Sequence, residues 1–169
     1  MESNVETIKE LRARTSAGVM DCKKALEESN GDLDKAEQIL TQKGIASAVK
    51  RSSRETGDGI VESYIHSGGR IGVLVEINCE TDFVARTDDF IELALDVAMQ
   101  IAAMAPIYVS TEDAPSDSSQ ETVSQENILM QQPFIKDPTK SIQELVNETI
   151  GKLGENIRVR RFTRFSLGE

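Results

Sequence analysis

The sequence has no tryptophan, one histidine, two cysteines and four prolines, and aromatic residues make up only 4% of it. Two cysteines, Cys22 and Cys79, cannot build a secreted disulfide framework, although one bridge is conceivable, so a reducing cytoplasm is the simplest home. Two cysteines and a lone histidine also supply no closely spaced ligand pairs for a structural zinc ion. A triad hydrolase would have to use His66, whose strand position favours an ordinary surface or packed histidine. The glycines spell neither G-x-x-x-x-G-K-[ST] nor G-x-G-x-x-G, so no nucleotide site and no cofactor are expected in this chain. Apolar runs fall well short of the ~20 residues that span a bilayer. The opening MESNVETIKEL has neither a basic nor an apolar leader region, so neither a membrane nor export is expected. Basic charge is scarce too: 19 Lys and Arg stand against 29 Asp and Glu, a net charge of −10. Phosphate-backbone binding rests on cationic side chains, so direct nucleic-acid binding is disfavoured and a protein partner is favoured.

What is present suffices for a core. The 169 residues are 38% apolar, enough for one large or two small domains. Charge is distributed unevenly. Residues 1–54 hold nine acids and ten bases, whereas residues 55–109 hold ten acids against only Arg70 and Arg86. Residues 1–54 are therefore expected to form a module with a basic linker, followed by a core domain over 55–169.

The first module reads as three short helices. Ser3 and Glu6 have the spacing of a capping box, followed by Val5, Ile8 and Leu11 at helical spacing, which predicts a helix from Asn4 to Arg14. Val19, Cys22, Ala25 and Leu26 mark a second helix that Asn30-Gly31 stops. Asp32 opens a third, carrying Leu33, Ala36, Ile39 and Leu40 and expected to close at Gly44, with 45–54 continuing as a basic helix or linker. Helices this short are unstable alone, so their apolar stripes must pack on one another.

After Gly57 the period changes from about 3.6 to 2. The runs 60–67 and 70–78 flank Gly68-Gly69 and predict a β-hairpin, with Ile71, Val73, Val75 and Ile77 on one face. A long helix is expected over 88–105, capped by Thr87, apolar around most of its circumference and ended by Pro106. Residues 110–125 read as an acidic, Ser-rich variable loop. A helix over 141–153 stops at Gly154, and 156–167 should supply a third strand. The fold class is thus α+β: a helical module, then a three-stranded antiparallel sheet packed on helices.

Two stretches carry candidate interaction residues. At Cys79–Arg86 the chain leaves a strand and enters a helix within a few residues, placing Asp82 and Phe83 on a tight corner. One reading has Thr81 or Asp82 capping a helical turn and Phe83 in the core. The other has a carboxylate beside an apolar wedge that enters a partner's groove, the pattern of an interface hot spot. The second stretch, Arg158, Arg160, Arg161 and Arg164, alternates with Val159, Phe162 and Phe165 and is read as a strand with a charged face.

Three ordered motifs resemble the elongation factor Ts family: Leu11–Leu26 continuing to Asn30-Gly31-Asp32, Thr81-Asp-Phe-Val-Ala-Arg86, and Gly154-Glu-Asn-Ile-Arg-Val-Arg-Arg161. Ser16 and Val19 depart from the usual glycine and methionine. The resemblance implies a ubiquitin-associated-like first module and a guanine-nucleotide exchange factor for elongation factor Tu, without covalent chemistry. It implies that Thr81, Asp82, Phe83 and Val84 dislodge the partner's Mg²⁺, while Arg12, Val19 and Met20 grip its nucleotide-binding domain. It also implies a short form with one core subdomain, hence a homodimer in a two-plus-two complex, with Phe162, Phe165 and the hairpin as candidate interface. The alternative is a non-catalytic adaptor whose three-helix module captures a helical or ubiquitin-like partner.

Overall fold

A computed structural model of the chain describes residues 5–15, 17–114 and 124–168. Ser3 and Asn4, the expected start of the first helix, lie outside the described residues, as do Ser16 and most of the 110–125 loop. Helix α1 (Val5–Thr15) packs with α2 (Val19–Glu28) and the first half of α3 (Leu33–Arg51) around Leu11, Cys22, Ala25, Leu26 and Ala36. Val5 and Val19, placed on the stripes by their spacing, instead stand at the rim and are exposed. The α2–α3 corner is made by Asn30 and Gly31 at φ 56° and 85°, with the Gly31 N–H donating to the Leu26 carbonyl. The Asp32 carboxylate then accepts the Lys35 N–H at 3.0 Å and caps α3.

Gly44 does not close the third helix. α3 runs through it to Arg51, and the glycine lies at the crossing with α6. A Cβ on Gly151 of α6 (Ile142–Leu153) would lie 3.6 Å from the Gly44 Cα. The two glycines face each other where α3 and α6 pack. Consequently α3 belongs to both halves of the chain: Ala36 lies in the first cluster and Ala48 in the second.

The second cluster is built on a sheet of order β1 (Asp58–Ile65), β2 (Ile71–Cys79), β5 (Arg158–Ser166), antiparallel throughout. The hairpin turn closes with the Gly69 N–H donating to the His66 carbonyl, Gly68 and Gly69 both at positive φ. Val73, Val75, Ile77 and Cys79 are buried on the inner face, against α5 (Asp88–Met104). Thr87 caps α5 by accepting the Phe90 N–H, and Ala105 ends it in the left-handed conformation just before Pro106. Its burial on several sides agrees with its near-continuous apolar surface. α6 begins with a capping box, the Ser141 hydroxyl accepting the Glu144 N–H and the Glu144 carboxylate accepting the Ser141 N–H.

The sequence carries no strand pattern over 133–141. A small ribbon of β3 (Pro133–Phe134) and β4 (Asp137–Ser141) lies against α5 and α6. It is fixed by fully buried Gln100, whose amide donates to the Gln132 side chain and the Pro133 carbonyl and accepts the Ile135 N–H. Lys136 pairs with largely buried Asp96 one turn earlier on α5.

Two glycines with opposite tolerance test this packing. Gly59 has φ 145° and a Cβ there would sit 2.1 Å from the Ile77 carbonyl oxygen. Gly59→Ala should therefore cost about 2–4 kcal/mol from overlap and strain. Gly44→Ala, whose Cβ would meet nothing closer than 3.9 Å, should be neutral or gain up to about 1 kcal/mol from helix propensity. Urea unfolding of both variants measures the contrast.

Candidate functional site

The Thr81–Arg86 corner leaves the end of β2 and becomes a single helical turn, α4 (Asp82–Ala85). Thr81 is its N-cap: extended backbone, with the hydroxyl accepting the Val84 N–H at 3.4 Å. A turn of four residues has one inward side, and here Val84 and Ala85 occupy it. Phe83 is consequently turned out and stands 77% exposed. Of the two sequence readings, the one that buries Phe83 in the core is overturned, while its capping component holds for Thr81. Asp82 is exposed beside Phe83 and pairs with Arg86 one turn later at 2.8 Å. Val84 lies beneath the tip, so the four expected contact residues divide into an outer pair, Asp82 and Phe83, and supports on either side.

The corner is held by residues that sequence spacing could not connect to it. Glu155, between α6 and β5, places Oε2 3.1 Å from the Glu80 backbone nitrogen and 3.0 Å from that of Thr81. Its Oε1 accepts the Thr81 hydroxyl at 2.7 Å. The next residue, buried Asn156, donates its backbone N–H to the Glu80 carboxylate at 2.7 Å and its side-chain amide to the Arg54 carbonyl at 2.8 Å. Arg54 in turn pairs with Glu80 at 3.3 Å. The Asn156 N–H, and after it the Arg54 guanidinium, hold the Glu80 carboxyl below its ordinary value. The only sequence signal for this clamp is the Gly154–Arg161 motif itself.

Cys79 is buried with its thiol on the Thr81 carbonyl, and burial pushes its pKa up to about 11, which keeps it protonated and unreactive at neutral pH. Burial likewise raises the Cys22 thiol. His66 is exposed and its Nδ1 lies 3.1 Å from the Tyr64 hydroxyl. Among the described residues no three potential ligands gather into a metal site, and no helix is long and apolar enough to cross a membrane. On β5, Arg161 pairs with Glu76 at 2.6 Å across the strands, which draws the Glu76 carboxyl below its ordinary value.

Two further surfaces bear on binding. Arg12, Val19 and Met20 are all exposed, Arg12 on α1 and the other two at the start of α2, Met20 to 62%. The structure brings them to the surface of the helical module, separate from the Phe83 corner. On the sheet face away from α5, Val61, Ile65, Leu74 and Phe165 are exposed, with Phe165 paired to Gly72. Phe162 sits on the opposite side, opposite Val75 and packed against the core.

The family model described as elongation factor TS matches residues 3–124. The chain is 50% identical to elongation factor Ts of Carboxydothermus hydrogenoformans, covering 97% of this chain and 88% of that protein. It is 49% identical to elongation factor Ts of Thermotoga maritima, covering 100% of this chain and 98% of that protein. Against elongation factor Ts of Moorella thermoacetica the identity is 48%, over 96% of this chain and 94% of the relative.

The tip and its support should separate in stability measurements. Phe83→Ala should change unfolding free energy by less than about 0.5 kcal/mol, as for an exposed side chain. Val84→Ala should cost about 2 kcal/mol from lost burial and the cavity left behind. Glu80 gives a pH signature. Its folded-state pKa is depressed, so its contribution is present above its ordinary value of 4.5 and is lost as pH falls through the folded value. Glu80→Gln should accordingly be less stable than the native chain at neutral pH, with the gap narrowing below that range in urea titrations.

Proposed function

The chain belongs to the elongation factor Ts family of translation elongation factors, and from that premise we propose that it is the guanine-nucleotide exchange factor of elongation factor Tu. The observation that carries the reading is Phe83: a large apolar side chain, 77% exposed, on a capped turn whose other apolar residues are buried. A monomer gains nothing by presenting it, whereas an apolar anchor beside a carboxylate suits a partner's pocket.

GDP is held in a GTPase by backbone N–H groups around its phosphates and by Mg²⁺, so release is slow until one hold loosens. In this reading Phe83 wedges into the partner near those groups, Asp82 fixes the contact, and the Thr81–Val84 turn as a whole displaces the Mg²⁺. A factor that binds the nucleotide-free partner best weakens nucleotide binding by the same factor, and incoming GTP then expels it. No covalent step is asked of this chain, and none of its residues binds the nucleotide.

Residues 1–54 act as the gripping module, with Arg12, Val19 and Met20 against the partner's nucleotide-binding domain. Two chains meet through the exposed sheet face, Phe165 and the hairpin at its centre, giving a two-plus-two complex in the cytoplasm. Phe162, packed on the core side, supports that face from beneath rather than lining it.

Stopped-flow release of fluorescent GDP from elongation factor Tu tests the proposal. The native chain should accelerate release, and Phe83→Ala should lose about tenfold or more of that acceleration, as for a buried aromatic hot spot. Acceleration by Phe83→Ala equal to native would remove the assigned role. Retention of the main partner by residues 1–54, with no effect of the whole chain on GDP release, would favour the adaptor alternative.

A further inference from the structure

The Gly154–Arg161 motif contributes no residue to the tip, yet its second residue makes three hydrogen bonds to the turn that carries it. Gly154 ends α6 in the left-handed conformation at φ 78°, and Glu155 follows at once. Its carboxylate accepts two successive backbone N–H groups, Glu80 and Thr81, and the Thr81 hydroxyl. The hydroxyl has a single proton. Spending it on Glu155 leaves the oxygen lone pairs facing the Val84 N–H, which is the capping bond of α4. The rotamer of Thr81, and with it the start of the turn, is therefore set by a carboxylate 74 residues away in sequence.

We propose that Glu155 is a positioning residue for nucleotide exchange, acting through Thr81 to hold the Asp82–Phe83 tip in its outward, partner-ready orientation. The proposal rests on the exchange-factor reading above. Its physical content is preorganisation. A tip fixed before encounter loses little conformational freedom on insertion, whereas a loose one must be ordered out of the binding free energy of insertion, which is then smaller. Removal of Glu155 leaves two backbone N–H groups and a hydroxyl without their acceptor, and a turn of four residues has too few internal bonds to hold itself. Core packing of Val84 and Ala85 persists, so the turn stays attached and its outer half becomes mobile.

The test compares the native chain, Glu155→Ala, Glu155→Gln, Phe83→Ala and the double variant Phe83→Ala/Glu155→Ala, each checked for folding by thermal melting. GDP release is followed by stopped flow over a range of factor concentrations. Glu155→Ala should lower the maximal release rate about tenfold or more while the half-saturating concentration moves less than about threefold, the split expected of lost positioning rather than lost binding. Glu155→Gln keeps the shape and one acceptor oxygen and should fall between. Because Glu155 acts through the tip, the double variant should be no slower than Phe83→Ala alone.

Amide hydrogen exchange supplies a readout independent of the partner: Glu80, Thr81 and Val84 should lose protection in Glu155→Ala while β2 residues Val73 to Ile77 keep theirs. Unchanged protection at those amides, or a native maximal rate in Glu155→Ala, overturns the proposal. A double variant slower by the product of the two single effects overturns it as well. If Glu155→Ala proves unfolded, Glu155→Gln carries the same comparisons. Failure of the exchange reading looks different, since the native chain itself would then leave GDP release at its spontaneous rate.

Discussion

The antiparallel pairing of β2 with β5 is the constraint on which the molecule depends. β2 is the middle strand, its inner side chains form the floor under α5, and β5 is its neighbour from the C-terminal half. The pairing closes a long loop containing α4, α5, the small ribbon and α6. Closure entropy grows only slowly with loop length, so the cost is modest beside the apolar burial that follows. Its geometric consequence is larger than its energy. At the far end of the pair, Asn78 meets Arg158, which brings the residues just before β5 level with those just after β2. Glu155 and Asn156 meet Glu80 and Thr81 for that reason. A register slip by one residue would turn the inner face of β5 outward and remove the acceptors from the corner together. The register is not uniform: it shifts between Glu76 and Ile77, where Arg160 is the additional residue on β5. This bulge lets Arg161 lie opposite Glu76 while Val159 still opposes Ile77.

Local chemistry was legible in the sequence wherever a residue's role is set by its neighbours in the chain. Gly68-Gly69 between two alternating runs, Thr87 before an apolar helix and Asn30-Gly31 before Asp32 all act through bonds within a few residues. Gly44 has the same composition signal and the opposite meaning, because its partner is Gly151 on another helix and nothing near residue 44 reveals it. The ribbon at 133–141 was opaque for a related reason. Its β4 strand contains Pro138 and polar residues, and what holds it is an amide network from Gln100, a residue whose type usually seeks the surface. Phe83 was undecidable from sequence. In Asp-Phe-Val-Ala a single turn buries either the Phe side or the Val-Ala side, and the spacing fits both. The Thr81 cap is common to both, and it is the burial of Val84 and Ala85 against the core that turns Phe83 outward.

The helical module is tied to the core by the same residues. α3 crosses α6 at Gly44 and Gly151, and the segment just after the end of α3 is met by the Asn156 amide, which donates to the Arg54 carbonyl. Arg54 then reaches Glu80 at the corner. The proposed binding surface on α1 and α2 and the proposed tip on α4 thus share a frame in which Glu155 and Asn156 contact one end and the α3–α6 crossing the other. Two surfaces that engage one partner benefit from such a frame, because the second contact is then made at high effective concentration and without further ordering.

An exposed phenylalanine is a local violation of the rule that large apolar side chains are buried, and such violations are compensated elsewhere. Here the compensation is visible in the same four residues. Val84 and Ala85 supply the burial that attaches the turn, so Phe83 is free of any packing duty. The polar bonds of Thr81, Glu80, Glu155 and Asn156 supply direction, which apolar packing alone does not, since the hydrophobic effect is indifferent to orientation. On the proposed reading, substitutions that alter what the tip touches are confined to Asp82 and Phe83, whose exposed side chains contribute little to stability. Substitutions that alter where the tip points must pass through a buried or doubly bonded group, and are felt by both the corner and the end of α3. Orientation is therefore the more constrained property of the two, and it is held by residues that need not touch the partner at all.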